Sequence, residues 1–238
     1  MAWRIFKYIN HLFHVRHRYG HGIHSPYLFE FINQVLFNSM ETKVPAGILE
    51  EHRKLRSESS FARCSSVPKK YACLLYRITR WFRPEMIVEL GTGMGISTMY
   101  LASASPETPL HTIERDADRA RMAAQLIGRC CPGAVSIHRG EMEEELETIL
   151  TLVPGRFLVF LDGNHHYDPT VRIVRKLLDR AGEEAVIVMD DIYWSRGMQR
   201  AWKEINSWPE VRVGVDLFHM GILLLRRDLH KRKIIIKF

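Results

Sequence analysis

From Pro84 onward, short apolar runs alternate with amphipathic helical ones, and this alternation restricts the fold more than any other feature. In order the chain reads "MIVEL", "GISTMYLASA", "PLHTIE", "ADRARMAAQLIG", "AVSIHRG", "EEELETILTLV", "RFLVFLD", "PTVRIVRKLLDRAG", "EAVIVMDD" and "GMQRAWKEINSW". Strands separated by helices pair in parallel, because a parallel partner requires a long crossover that lays each helix on a face of the sheet. A doubly wound α/β sheet with helices on both faces is predicted. The end departs from this rule: "VRVGVDLF" and "HMGILLLRR" nearly abut, and only an antiparallel pair can be joined so tightly. Seven strands, mostly parallel with an antiparallel one near the C-terminus, are expected. Before Trp81 the period is helical throughout. "WRIFKYINHLF" puts Trp3, Phe6, Ile9 and Phe13 on one stripe, "SPYLFEFINQVLF" repeats the pattern, and "KKYACLLYRITRWF" forms a third segment. Residues 1–82 therefore read as a helical N-terminal extension and residues 83–238 as the sheet domain.

Composition narrows the setting. With 238 residues, 46% of them hydrophobic, the chain can bury a real core. No run approaches the roughly eighteen apolar residues of a membrane span, and the N-terminus is broken by charge too often for a signal peptide. Cys64, Cys73, Cys130 and Cys131 show no metal-ligand spacing, and reduced thiols fit a cytoplasmic protein. The formal charge of +7 is concentrated at the ends: residues 1–26 carry +4 and residues 226–238 carry +5, leaving residues 27–225 at −2. A basic groove across the core is not indicated, so nucleic acid is not the expected partner.

The stretch "VELGTGMGIST" carries the first chemistry. A strand ending at Leu90 feeds Gly91, Thr92, Gly93 and Gly95, with a helix starting near Ile96. A bare turn at a strand's carboxyl end is where such sheets bind ligands. The dinucleotide fingerprint wants its third glycine at position 96, where Ile96 stands, and no Lys followed by Ser or Thr supplies a P-loop. A nucleoside ligand without a pyrophosphate fits better, and Glu89 would attract a cationic one. The next strand ends in Glu114, at the distance downstream where a ribose-binding carboxylate is found.

These residues resemble the class I S-adenosylmethionine-dependent methyltransferases, a Rossmann-like family. Their acid-x-Gly-x-Gly-x-Gly pattern is matched from Glu89 to Gly95, and their ribose acid by Glu114. The resemblance spans roughly Arg83 to Arg227. It implies S-adenosylmethionine as cofactor, with Ser97 at a position that meets the methionine carboxylate and Gly140 and Glu141 beside the adenine.

Two further strands, "FLVFLDGNHHYD" and "AVIVMDDIYW", end in acid. In a parallel sheet Asp162 should converge with Asp190 and Asp191 on the carboxyl edge, where unpaired carboxylates repel one another unless a cation sits among them. Capping of the following segment is the plainer reading of Asp190 and Asp191. The arrangement looks like the metal site of the catechol and caffeoyl-coenzyme A O-methyltransferases, which implies magnesium or a similar divalent ion at Asp162, Asp190 and Asp191. Those enzymes place a lysine base three residues after the first of these acids; here that position is His165. The stretch is closer to the Asp-Gly-x-His-x-Tyr of the cephalosporin-hydroxylase-like methyltransferases. The resemblance thus implies metal-assisted O-methylation of a small hydroxylated molecule, with His165 accepting the proton and Asp162 serving both ion and cofactor. A methyltransferase acting on nucleic acid or protein, or a non-catalytic interaction protein of the same fold, are the alternatives. Asp168, in "DPT", reads as a helix N-cap followed by proline.

The extension also carries His11, His14, His17, His21 and His24. With no cysteine or acid nearby, these are expected to serve a lid or a homodimer contact rather than a metal site. The basic termini offer a further contact, with an anionic membrane surface.

Overall fold

A computed structural model describes residues 2–13, 15, 22–37, 44–131 and 133–238. His14, His17 and His21 lie outside them. The chain has a mixed α/β, Rossmann-like fold and packs as two compact units, one comprising Met1–Phe37 with Pro154–Phe238 and the other Asn38–Val153. Its mostly parallel sheet has eight strands.

In the unit of residues 38–153, helices α3 (Ala46–Glu58), α4 (Ser60–Ser65) and α5 (Lys69–Phe82) precede β1 (Met86–Leu90), α6 (Ile96–Ala104), β2 (Leu110–Glu114), α7 (Ala117–Cys130), β3 (Val135–Arg139) and α8 (Met142–Leu150). Strand β2 lies between β1 and β3, parallel to both. Every residue of β1 is buried, as expected of a parallel strand covered on both faces. Helix α5 is buried over most of its length, from Tyr71 to Thr79, and packs against α6.

The unit built from both ends of the chain begins with α1 (Ala2–Phe13) and α2 (Pro26–Phe31), the latter running into a π-helical turn at Ile32–Leu36. It continues with β4 (Phe157–Leu161), α9 (Tyr167–Leu178), β5 (Val186–Asp190), α10 (Arg196–Ser207), β6 (Val213–Asp216), β7 (Met220–Leu224) and β8 (Arg232–Ile235). The strand order is β4-β5-β7-β6-β8. β7 runs antiparallel to both β5 and β6, as the abutting runs required.

Three expectations are corrected. The sheet has an eighth strand, β8, parallel to β6, built from a tail that reads as a basic terminus. Ile234 and Ile236 are buried while Arg232, Lys233 and Lys237 keep some exposure, and charged side chains on an outer strand discourage further pairing. The C-terminal half of the apolar stripe of α1 is not packed: Ile9 is 48% and Phe13 83% exposed, whereas His11 is buried. Asp168 does not cap α9, whose N-cap is His166. A tight turn closed by the His166 N–H on the Asn164 carbonyl starts the helix earlier, and Asp168 sits in the first turn, where the helix dipole favours an acid.

Candidate functional site

The glycine turn is built as its sequence demands. Gly91, Gly93 and Gly95 adopt φ of 110°, 54° and 83°, conformations open to glycine and costly for residues with a Cβ. Gly95 is the N-cap of α6, and a Cβ there would lie 3.2 Å from the Cα and Cβ of Ala123. The bare backbone is therefore both a conformational and a packing requirement.

Two carboxylates flank this turn. Glu114, at the end of β2, is 7% exposed; it accepts the Gly93 N–H at 2.9 Å and the Asp116 N–H at 2.9 Å, with Arg119 at 3.7 Å. A carboxylate offers about four lone-pair sites, so further acceptor capacity remains. Glu89 is fully buried. Its Oε2 accepts from Thr98 at 2.6 Å and Thr112 at 2.7 Å, and Thr112 also pairs with Thr92 at 2.6 Å. Its Oε1 is buried without a hydrogen-bond partner. Burial pushes the Glu89 carboxyl up to about 7, with the hydroxyls of Ser97, Thr98 and Thr112 opposing the rise. An orphaned buried carboxylate oxygen beside a glycine turn is suited to a cationic ligand. Ser97, 5% exposed, lies in the first turn of α6. Gly140 follows β3 and donates to the Glu114 carbonyl at 3.3 Å. Glu141 is the N-cap of α8, and its side chain, instead of capping the helix, accepts from Arg115 at 3.4 Å on the surface.

The second predicted group lies in the other unit, at the carboxyl ends of β4 and β5. Asp162 follows β4, and its Oδ1 is 3.8 Å from His165 Nε2. Burial lowers the His165 pKa, against the raising effect of Asp191. Asp190 ends β5; burial, and then the charge of Asp191, raise its carboxyl to about 7. Asn164 and Asp191 both adopt φ of 49°, a left-handed backbone that Asn and Asp tolerate better than most residues. Such conformations concentrate at functional sites.

Sequence reasoning missed three members of this group. Arg4, from α1, places Nη2 3.3 Å from Asp191 Oδ1. Trp194, 51% exposed, carries the Arg4 guanidinium over its ring at 4.7 Å and faces the His165 ring at 6.2 Å. Asp216, fully buried, accepts from the Tyr193 hydroxyl at 2.9 Å, Trp202 Nε1 at 3.1 Å and the Phe218 N–H at 3.1 Å. An exposed tryptophan next to an acid-ended strand was the one available signal.

These residues do not fit a divalent cation in this arrangement. Asp191 already pairs with a guanidinium, and among the described residues no three His, Cys, Asp or Glu side chains gather as a metal site would require. Of the predicted histidines, His11 packs in the core and His24 lines a cavity of about 700 Å³ with Tyr27, Asp228, His230 and Lys231.

The fold and the glycine turn together make a Rossmann-like unit with a ligand turn at the carboxyl end of β1. In sequence, residues 88–192 match the family described as a methyltransferase domain, a segment that holds both the glycine turn and the acid pair after β5. The chain is similar in structure to the O-methyltransferase TomG of Streptomyces achromogenes in complex with S-adenosylmethionine: 21% identity, TM-score 0.61, covering 82% of this chain and 96% of that one. It is also similar to the Bacillus cereus O-methyltransferase in complex with S-adenosylhomocysteine (18%, TM-score 0.62, 83% and 97%) and to the S-adenosylhomocysteine-bound Podospora anserina methyltransferase PaMTH1 (15%, TM-score 0.65, 77% and 89%). No curated protein matches it significantly in sequence.

Proposed function

We propose that this protein is an S-adenosylmethionine-dependent O-methyltransferase acting on a small hydroxylated molecule. The observation that carries the reading is the joining of Glu114 to the glycine turn through the Gly93 N–H at 2.9 Å. This fixes a ribose-binding acid and the bare backbone as one rigid cradle. Of the structurally similar O-methyltransferases, TomG holds S-adenosylmethionine and the Bacillus cereus protein S-adenosylhomocysteine, which supports both donor and acceptor atom.

In this reading Glu114 accepts the ribose hydroxyls, Gly91, Thr92, Gly93 and Gly95 allow close approach of the nucleoside, Ser97 meets the methionine carboxylate, and Gly140 and Glu141 border the adenine. Glu89 faces the positive end of the donor. The acceptor oxygen attacks the sulfonium methyl group; the C–O bond forms as the C–S bond breaks, leaving a neutral thioether, and the hydroxyl proton passes to His165. Burial keeps His165 neutral at neutral pH and able to accept it. Asp162 orients the imidazole. Most of the rate gain in such a transfer comes from positioning. The divalent ion implied by the resemblance has no part in these steps, because Arg4 engages Asp191. Cys130 and Cys131, not joined in a disulfide, suit a cytoplasmic setting.

The test is calorimetric titration of the full chain with S-adenosylhomocysteine, wild type against Glu114→Ala. Two charge-assisted hydrogen bonds to the ribose, at about 1.5 kcal/mol or more each, give a loss of about 100-fold in the variant. Equal binding by both proteins would remove Glu114 from the site. No binding by wild type would leave the fold as an interaction module.

A further inference from the structure

Helix α1 presents Arg4, Tyr8 and His11 at spacings of four and three, which puts them on one face. That face is docked. His11 Nε2 lies 3.2 Å from the Ile236 carbonyl and Nδ1 3.4 Å from the Asp216 carboxylate, while Tyr8 meets Phe218 edge-on with centroids 5.0 Å apart. Asp216 is itself fixed by Tyr193, Trp202 and the Phe218 N–H, so the helix is seated on a buried polar knot. At its other end Arg4 reaches Asp191, with its guanidinium carbon over the Trp194 ring, 4.7 Å from the centroid. Neither partner of this pair is a loose surface group: the Arg4 and Asp191 side chains are 31% and 24% exposed. A guanidinium that both sits over an indole face and bonds a carboxylate is held more firmly than a lone surface ion pair.

We propose that Arg4 is the resident cation of the acceptor end, standing where the resemblance to metal-dependent O-methyltransferases implies a divalent ion, and that the protein excludes that ion. The inference rests on the proposed methyl transfer only for what this end of the unit does; the pairing itself is independent of it. A divalent ion at Asp190 and Asp191 would have to displace a guanidinium held over Trp194 on a helix anchored through Tyr8 and His11. With Arg4 in place the carboxylates gain one positive charge and no Lewis acid, so the acceptor proton must leave to His165 alone. Arg4 thereby acts as a positioning residue: it fixes Asp191 and Trp194, the two groups bordering His165.

The experiment measures binding of Mn²⁺ alone, from the signal of the free ion in electron paramagnetic resonance, to the full chain in four forms: wild type, Arg4→Gln, Arg4→Lys and Arg4→Gln combined with Asp191→Asn. S-adenosylhomocysteine is titrated into each in parallel. Wild type and Arg4→Lys should leave Mn²⁺ free. Arg4→Gln should bind it at least about tenfold more tightly, since a positive charge about 4 Å away has been removed from the carboxylates, and Asp191→Asn should abolish that gain. Stoichiometric Mn²⁺ binding by wild type, or no gain in Arg4→Gln, would overturn the inference. Loss of S-adenosylhomocysteine binding by wild type would instead overturn the proposed function, leaving the Mn²⁺ comparison to stand on its own. Unchanged S-adenosylhomocysteine binding in the variants shows that they are folded.

Discussion

Glu89 gives a prediction whose magnitude follows from the structure. Its carboxyl is fully buried and moves from an ordinary 4.5 to about 7 in the folded protein, chiefly through burial. For an acid with a raised folded pKa the sign is unambiguous. Below about 4.5 both folded and unfolded chains hold the proton, and no penalty exists. Between 4.5 and 7 the unfolded chain releases it while the folded chain retains it, so stability falls as pH rises, then levels off above 7. Each pKa unit corresponds to about 1.4 kcal/mol, and the window of about 2.5 units gives a loss on the order of 3 kcal/mol. Glu89→Gln keeps the size and an oxygen for the Thr98 and Thr112 hydroxyls but cannot ionise. Urea unfolding of wild type and variant at pH 5 and pH 8 isolates the effect, because other titrating groups cancel in the difference. Wild type should lose about 2.5 kcal/mol relative to the variant between the two pH values, since pH 5 already lies about half a unit into the window. Parallel curves would refute the argument that an uncompensated charge is stored beneath the glycine turn. The same charge should be useful to the donor: a sulfonium cation favours ionised Glu89, so S-adenosylmethionine bound at pH 6 should release protons, seen as a dependence of the calorimetric enthalpy on buffer.

Gly95→Ala should destabilise the protein by about 1–3 kcal/mol in urea, since φ of 83° strains any Cβ and the new methyl meets Ala123 at 3.2 Å; an unchanged midpoint would mean that the turn can relax. Asp216→Ala should cost about 3–5 kcal/mol, because it strands the Tyr193 hydroxyl, the Trp202 indole N–H and the Phe218 N–H in the core along with the nearby His11 ring and the charge of Lys233. Asp216→Asn, which retains acceptor capacity, should cost less, and equal losses would show that packing rather than the polar knot is at stake.

What was legible in the sequence follows from where the physical signal is local. "MIVEL" and the turn after it were readable as a strand and a ligand loop because a doubly covered parallel strand is apolar at every position and the left-handed turn needs glycine within a few residues. The antiparallel β6–β7 pair was readable because its short connection permits nothing else. Strand β8 was hidden because charge on an outer strand looks the same as a solvated tail until the partner is known. The packed face of α1 was hidden for a different reason. Hydrophobic periodicity assumes that buried positions are apolar, whereas here Ile9 and Phe13 are exposed and His11 is buried, while Arg4, Tyr8 and His11 engage a carboxylate, an aromatic ring and a carbonyl from far along the chain. Arg4 and Asp191 are 187 residues apart, so no window along the sequence could contain both. The same limit governs the acceptor end. Reading the acids at Asp162, Asp190 and Asp191 in isolation asks for an external cation, and only the tertiary placement of α1 reveals that the chain brings a cation of its own.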